Sequence, residues 1–451
     1  MVTRHTTPLV AICLLIALVG SLASGCVLVV DRGVDRETDY HYASTDVVRR
    51  FEVWGAGDVD FTADDRAVAR IAPGGFLHIE ERRSFRTRRV TVEPGAGGAV
   101  QITHTVNGRA QPDDAESREE LARLFLRVIR RMGVGAEQRV GRILAQAGVE
   151  GVFDELDHLE GSRVNSRYLT QLLRSGDLDV AARARVADHA RRQIASSGTR
   201  AGFLLAALPF YLTEDVAQDA YFNAVTSISS SGSRARVLVG ALDHQPDRRM
   251  VASILQSTRS MSSSGTKARV LIAAADHFEN DTDISEAFFV ATDSISSSGD
   301  RARVLLRLID AGDLDQASTL LLLRSAGRIS SGGTRARVLM AATTTFTNEP
   351  ARRDAYLTAA SSISSSGDHA RVLMHLLATA SLDDASVSAL LQSVRGISSS
   401  GSRARVLITA AERVRDSSEL RAVYEDVARG FSSSGDRRRV LAAIGLNRSE
   451  A

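Results

Sequence analysis

The chain has 451 residues, with 44% hydrophobic and 24% charged side chains and a formal net charge of +2. That balance is ordinary for a globular protein, and so small a net charge gives no basis for nucleic-acid binding. Seven prolines, one tryptophan and 5% aromatic residues suit a mainly helical chain and leave little material for stacking platforms.

Arg4 and His5 precede an apolar run over 8–22, and Leu22-Ala23-Ser24-Gly25-Cys26 follows. Residues 1–25 read as a targeting segment and stand outside the fold argument. Small residues just before a cysteine resemble the lipobox of bacterial lipoproteins, although Ala23 stands where that box usually carries Leu. The resemblance implies acylation of Cys26, which becomes the first residue of the mature chain. Cys13 leaves with the signal, so the mature chain has one thiol, no internal disulfide and no cysteine-based metal site. Two other readings stay open. The stretch 9–30 is long enough to span a bilayer as an uncleaved anchor, and plain secretion is the third. In each the body of the protein faces outward.

Residues 26–46, polar and charged from Asp31 onward, read as a tether. From Val47 the apolar residues recur with period two, as in Phe51-Glu52-Val53-Trp54 and Phe76-Leu77-His78-Ile79-Glu80. Turn signals stand at Pro73-Gly74-Gly75, Pro94-Gly95 and Asn107-Gly108. This predicts five or six strands over 47–110, a small antiparallel meander that needs packing from the helical segment after it. At Asp113-Asp114 the period becomes helical, with Leu121, Leu124, Phe125, Val128 and Ile129 on one face. Residues 111–193 read as three to five helices of degenerate repeat character.

From Ile194 one block recurs eight times, beginning at Ile194, Ile228, Met261, Ile295, Ile329, Ile363, Ile397 and Phe431. Six of the seven steps are 34 residues and one is 33. Its fullest form is Ile228-Ser229-Ser230-Ser231-Gly232-Ser233-Arg234-Ala235-Arg236-Val237-Leu238. A fixed period of this length marks a stacked array, so 194–451 reads as an α-solenoid of helical hairpins, the last copy a half-repeat cap. The fold class is α+β by segments and mainly α: a β-meander, then the solenoid.

The columns have physical readings. The first residue faces the core, and the Val-Leu pair lines one face of the next helix. The fifth residue is Gly in all eight copies, which predicts a left-handed residue closing one helix. The sixth is always Ser, Thr or Asp, which predicts the N-cap of the next. The serines serve either as small hydroxyls bonding loose carbonyls or as a ladder for a polar ligand such as a glycan. The seventh column is Arg200, Arg234, Lys267, Arg301, Arg335, His369, Arg403 and Arg437. The ninth is Arg236, Arg269, Arg303, Arg337, Arg371, Arg405 and Arg439, with Gly202 in the first copy. Such a ladder either bonds helix-end carbonyls or lines a groove for an anionic partner; the ninth column is the candidate partner site.

No zinc-peptidase, phosphate-loop, nucleophile-elbow or dinucleotide motif is present, so neither catalytic residues nor a metal or cofactor is expected. The block Ile-Ser-Ser-x-x-x-x-x-Arg-Val-Leu resembles the HEAT- and TPR-like periplasmic repeats associated with penicillin-receptor-type membrane zinc peptidases, and related stand-alone envelope lipoproteins. The resemblance extends over roughly 50–451, taking in Pro73-Gly74-Gly75 and Ile79-Glu80-Glu81. The peptidase module is missing here, and Ser-Gly stands where those repeats more often carry Asp and an aromatic, so no protease activity is implied. The expectation is a non-enzymatic, monomeric scaffold at the bacterial envelope, attached to the membrane by its N-terminal lipid and binding a protein or envelope polymer. The alternatives are a sensory ectodomain acting with a membrane peptidase or signalling partner, and an enzyme whose site has no recognised motif.

Overall fold

The structure, a computed structural model, describes residues 40–45, 49–312 and 314–446. The targeting segment and Cys26 lie outside the described residues. The chain divides into two compact units, 1–172 and 173–451.

The first unit is built on an antiparallel sheet of six strands in the order β1 (Tyr40–Thr45), β2 (Arg49–Ala56), β5 (Phe76–Arg83), β6 (Arg86–Pro94), β7 (Val100–Val106) and β8 (Arg109–Ala110). A separate hairpin of β3 (Val59–Phe61) and β4 (Val68–Ile71) interrupts the meander between β2 and β5. Strand β1 occupies part of the segment read as tether and pairs with β2 along its whole length. Period-two alternation sends Phe51, Val53, Leu77, Ile79, Val90 and Val92 to one face. Helix α1 (Ala115–Met132) lays Leu124, Phe125, Val128 and Ile129 against it. Asp114 caps α1 by accepting from the Ser117 amide at 2.9 Å, and Gly133 closes it in the left-handed region at φ 67°.

Helix α2 (Ala136–Leu156), interrupted at Gly148, and α3 (Ser162–Ser175) complete this unit, whose boundary falls inside α3. A buried ionic network ties them to the β3–β4 loop. Arg139 donates to Asp65 at 2.6 Å, to Glu155 at 2.7 Å and to the Tyr168 hydroxyl at 2.9 Å. Burial by itself would raise the Glu155 carboxyl, but Arg130 and Arg139 hold it below the usual carboxylate range.

The second unit is two stacked rows of helices. One row is α4 (Val180–Gln193), α6 (Asp215–Thr226), α8 (Arg248–Arg259), α10 (Thr282–Asp293), α12 (Gln316–Gly327), α14 (Pro350–Ser361), α16 (Asp384–Ser393) and α18 (Ser418–Arg429). The other is α5 (Ser197–Ala207), α7 (Ser231–Leu242), α9 (Ser264–Ala274), α11 (Ser298–Ala311), α13 (Gly332–Ala341), α15 (Ser366–Thr379), α17 (Ser400–Val414) and α19 (Ser434–Ala443). Each helix packs on the next of its own row, and α6, α8, α10, α12, α14 and α18 each pack on the row-two helix after them. Ile228, Ala235, Val237 and Leu238 are all fully buried, and their equivalents repeat along the array. Burial of each such Val, Leu or Ile contributes about 1.5–3 kcal/mol.

The turn between rows differs from the sequence reading. The repeated glycines are not left-handed and do not close a helix. None has a positive φ, and Gly232 is the second residue of α7. The helix before it ends without a left-handed residue. The Ile228 amide bonds back to the Val225 carbonyl at 3.0 Å, and its buried side chain pins the corner. The N-cap is the third residue of the block, not the sixth: Ser196, Ser230, Ser263, Ser297, Ser331, Ser365, Ser399 and Ser433. Each hydroxyl accepts from the amide of the sixth residue at 3.2–3.5 Å. The sixth residue is therefore the third helical position, where the helix dipole favours Asp and where the Thr199 and Thr266 hydroxyls bond back to the cap residues Ser196 and Ser263. In this chain both columns hold N-cap-type residues, Ser in the third and Ser, Thr or Asp in the sixth, so residue type did not separate them.

Candidate functional site: two arginine columns and a serine ladder

The seventh and ninth residues of the block stand two apart on one helix, and residues two apart face opposite ways. The seventh turns inward. Arg200 donates through Nε to the Ile194 carbonyl at 2.8 Å and through Nη1 to the Ser227 carbonyl and hydroxyl at 3.1 and 2.7 Å. It thus bonds the ends of two successive row-one helices, α4 and α6. Arg234 repeats this on Ile228 and Ser260, Arg301 on Ile295 and Arg328, Arg335 on Ile329 and Ser362, and Arg403 on Ile397 and Gly430. Lys267 reaches the Ser294 carbonyl and hydroxyl only, at 3.2 and 2.9 Å. Burial pushes Arg200, Arg234, Arg335 and Lys267 below their ordinary pKa values, while the carbonyls, at the negative ends of helix dipoles, supply acceptors for the charged form. His369 is fully buried, and its Nε2 lies 3.5 Å from the Ser393 hydroxyl. Arg437, in the last copy, is exposed.

The ninth column turns outward. Arg236, Arg269, Arg303, Arg337, Arg371, Arg405 and Arg439 are all exposed. Their local partners follow the sixth residue, three back on the same face. Where it is Asp, an ion pair forms: Arg371 meets Asp368 at 2.7 Å, and Arg303 and Arg439 meet Asp300 and Asp436. Arg405 reaches the Ser402 hydroxyl at 3.2 Å. Arg236 and Arg269 instead extend to the carbonyls of Gly198 and Gly232 in the preceding repeat, at 3.5 and 3.3 Å. Exposed pairs of this kind contribute about 0–1 kcal/mol, so the fold does not depend on this column.

The serines on either side of the cap are committed to the stack. The fourth-column hydroxyl of one repeat meets the second-column hydroxyl of the next: Ser197 with Ser229 at 3.0 Å, Ser231 with Ser262 at 3.0 Å, Ser264 with Ser296 at 2.9 Å, Ser298 with Ser330 at 2.8 Å and Ser366 with Ser398 at 2.7 Å. Gly332 removes one rung, and Ser400 donates to Asp436 at 2.6 Å instead. These hydroxyls bond one another between repeats, where the sequence reading expected them on loose carbonyls.

Cys26 cannot be placed, since it lies outside the described residues. Among the described residues no three His, Cys, Asp or Glu side chains are grouped to hold a metal ion, and no helix is long and apolar enough to cross a membrane. The sequence reading missed the division of labour between the two arginine columns; their two-residue offset was the available signal. The fold and the site define a helical-repeat array with a structural and a solvent-facing arginine column. Comparison with protein-family models, with curated proteins and with solved structures finds no match for this chain.

Proposed function

We propose that the chain is a non-enzymatic scaffold at the bacterial envelope, tethered by a lipid on Cys26, that binds an extended anionic partner along the ninth-column arginines. One observation carries this reading. The seventh column bonds the buried helix ends, while the ninth column is exposed in seven consecutive repeats and makes only exposed contacts. Stacked helices lie about 10 Å apart, and an extended chain rises roughly 3.3 Å per residue. A partner strand lying along the array would therefore present a charge to one arginine about every third residue.

Arg236, Arg269, Arg337 and Arg405 carry no carboxylate three residues back, so that position leaves their charge unbalanced, and the first three stand without a side-chain partner there. The test is the triple substitution Arg236→Glu, Arg269→Glu, Arg337→Glu, followed by crosslinking in cells of the native host. The expected result is unchanged thermal stability and loss of the crosslinked species. An unchanged crosslinking pattern from the folded triple variant removes this column as the site.

A further inference from the structure

The face of the sheet that covers α1 is apolar through most of its length and changes character where β5 turns into β6. There Glu81, Arg83, Arg86 and Arg88 of the hairpin, with Glu120, Arg123 and Arg127 of α1, surround a cavity of about 220 Å³. Five guanidinium groups share it with two carboxylates. Glu81 is approached by Arg83 at 2.9 Å, by Arg88 at 3.5 Å and by Arg127. Glu120 is approached by Arg86 at 3.1 Å and by Arg88 at 2.7 Å. Counting Glu119, which Arg123 meets at 3.3 Å away from the cavity, positive charge remains in excess.

Two buried groups at this end have no acceptor or donor within the protein. Arg88 Nε is one. The other is His104, opposite Val90 across the β6–β7 ladder and therefore on the same covered face; it is 8% exposed, and both its ring nitrogens are unpartnered. Buried polar atoms of this kind are uncommon and call for an explanation. Arg88 lines the cavity and His104 does not; a phosphate oxygen there is an acceptor that Arg88 Nε lacks, and arginine is the side chain best shaped to bind one.

The hairpin tip adds an observation of a different kind. Ser84 and Phe85 form its two-residue turn, Ser84 takes a left-handed φ of 49°, and Phe85 stands 98% exposed between cavity residues Arg83 and Arg86. Polar residues and glycine are the usual choice at such a turn. An exposed aromatic ring flanked by arginines is the arrangement that enters the headgroup–acyl boundary of an anionic bilayer.

We propose that the β5–β6 hairpin tip is a membrane-docking site, with Phe85 entering the interface of an anionic bilayer and the arginine cavity taking the phosphate of a lipid headgroup. This site belongs to the first unit alone and does not depend on the use made of the ninth-column arginines.

The test uses the full chain on vesicles, with Phe85→Trp in a Trp54→Phe background so that one indole reports the tip. Phosphatidylglycerol-rich and pure phosphatidylcholine vesicles are compared, each with brominated acyl chains. The expected result is blue-shifted emission quenched by bromine on the anionic vesicles only, and loss of both effects on adding Arg86→Gln and Arg123→Gln. Emission that stays unquenched and at its aqueous wavelength on both vesicles overturns the proposal. Inorganic phosphate distinguishes a soluble anion. If it stabilises the chain through Arg86 and Arg123 while the indole stays in water, the cavity binds free phosphate and the membrane reading is wrong.

Discussion

Arg335 Nε donates at 2.9 Å to the carbonyl oxygen of Ile329, six residues earlier, across the turn that joins two helices. The same guanidinium holds the Ser362 hydroxyl at 2.6 Å, at the corner of the following repeat. One side chain thus closes its own turn and fixes the distance to the next. Replacing it with Met removes the donor from the Ile329 carbonyl and the Ser362 hydroxyl, which costs about 1–3 kcal/mol. We expect Arg335→Met to lower the urea midpoint of the array and Arg337→Met, two residues on and exposed, to leave it nearly unchanged. Equal losses from the two would refute the division of roles between the columns.

Gly232 separates two accounts of the turn. A left-handed closing residue loses stability when Gly becomes Ala. Here Gly232 is helical, and a Cβ added to it meets nothing within 4 Å. Gly232→Ala is therefore expected to stabilise by about 0.4–1 kcal/mol. Ser230→Ala removes the actual cap and should cost about 1 kcal/mol. Thermal midpoints moving in opposite directions for the two variants would support the placement.

His369 is expected to make the array sensitive to mild acid. Burial lowers its pKa from the ordinary 6.5, so the folded state keeps it neutral where the unfolded chain is protonated. The unfolded state then binds more protons, and stability falls as pH drops below 6.5 toward the folded pKa. The remaining members of this column are Arg or Lys. His369→Arg is expected to flatten that dependence, as read from urea midpoints at neutral pH and in mild acid. An unchanged slope would assign it to other groups.

Arg139 anchors the first unit. Breaking a buried ion pair from one side costs roughly 3–5 kcal/mol. Asp65 keeps Arg142 at 2.7 Å and Glu155 keeps Arg130 at 2.8 Å, so Arg139→Met belongs at about the lower end of that range. Denaturant unfolding followed by Trp54 fluorescence, within the same unit, measures it. A loss well below 1 kcal/mol would show that the two remaining arginines suffice.

The tether is a chemical prediction. Protein made in the native host should carry acyl chains on Cys26 as its first residue. An intact mass matching an unmodified or absent Cys26 rules out the lipid anchor and leaves the spanning or secreted alternatives.

The sequence by itself determined the repeat, its period and its core, because Ile228, Val237 and Leu238 must be buried wherever their helices lie. It also determined an antiparallel sheet with one covered face, from the period-two alternation in β2, β5 and β6, but neither strand β1 in the tether segment nor the separate pairing of β3 with β4. The class of polar residue at each turn was legible, but its position was not: the third and sixth columns both hold residues of the capping class in this chain. Only the tertiary structure decided that Ser230 caps, that Gly232 is helical and that Arg234 points in while Arg236 points out. It also assembled the arginine cavity, whose lining residues on β5, β6 and α1 are separated in sequence by up to 46 positions. Periodicity along a chain reports which side of a helix or strand is covered. It does not report which distant element brings its charges to the same end.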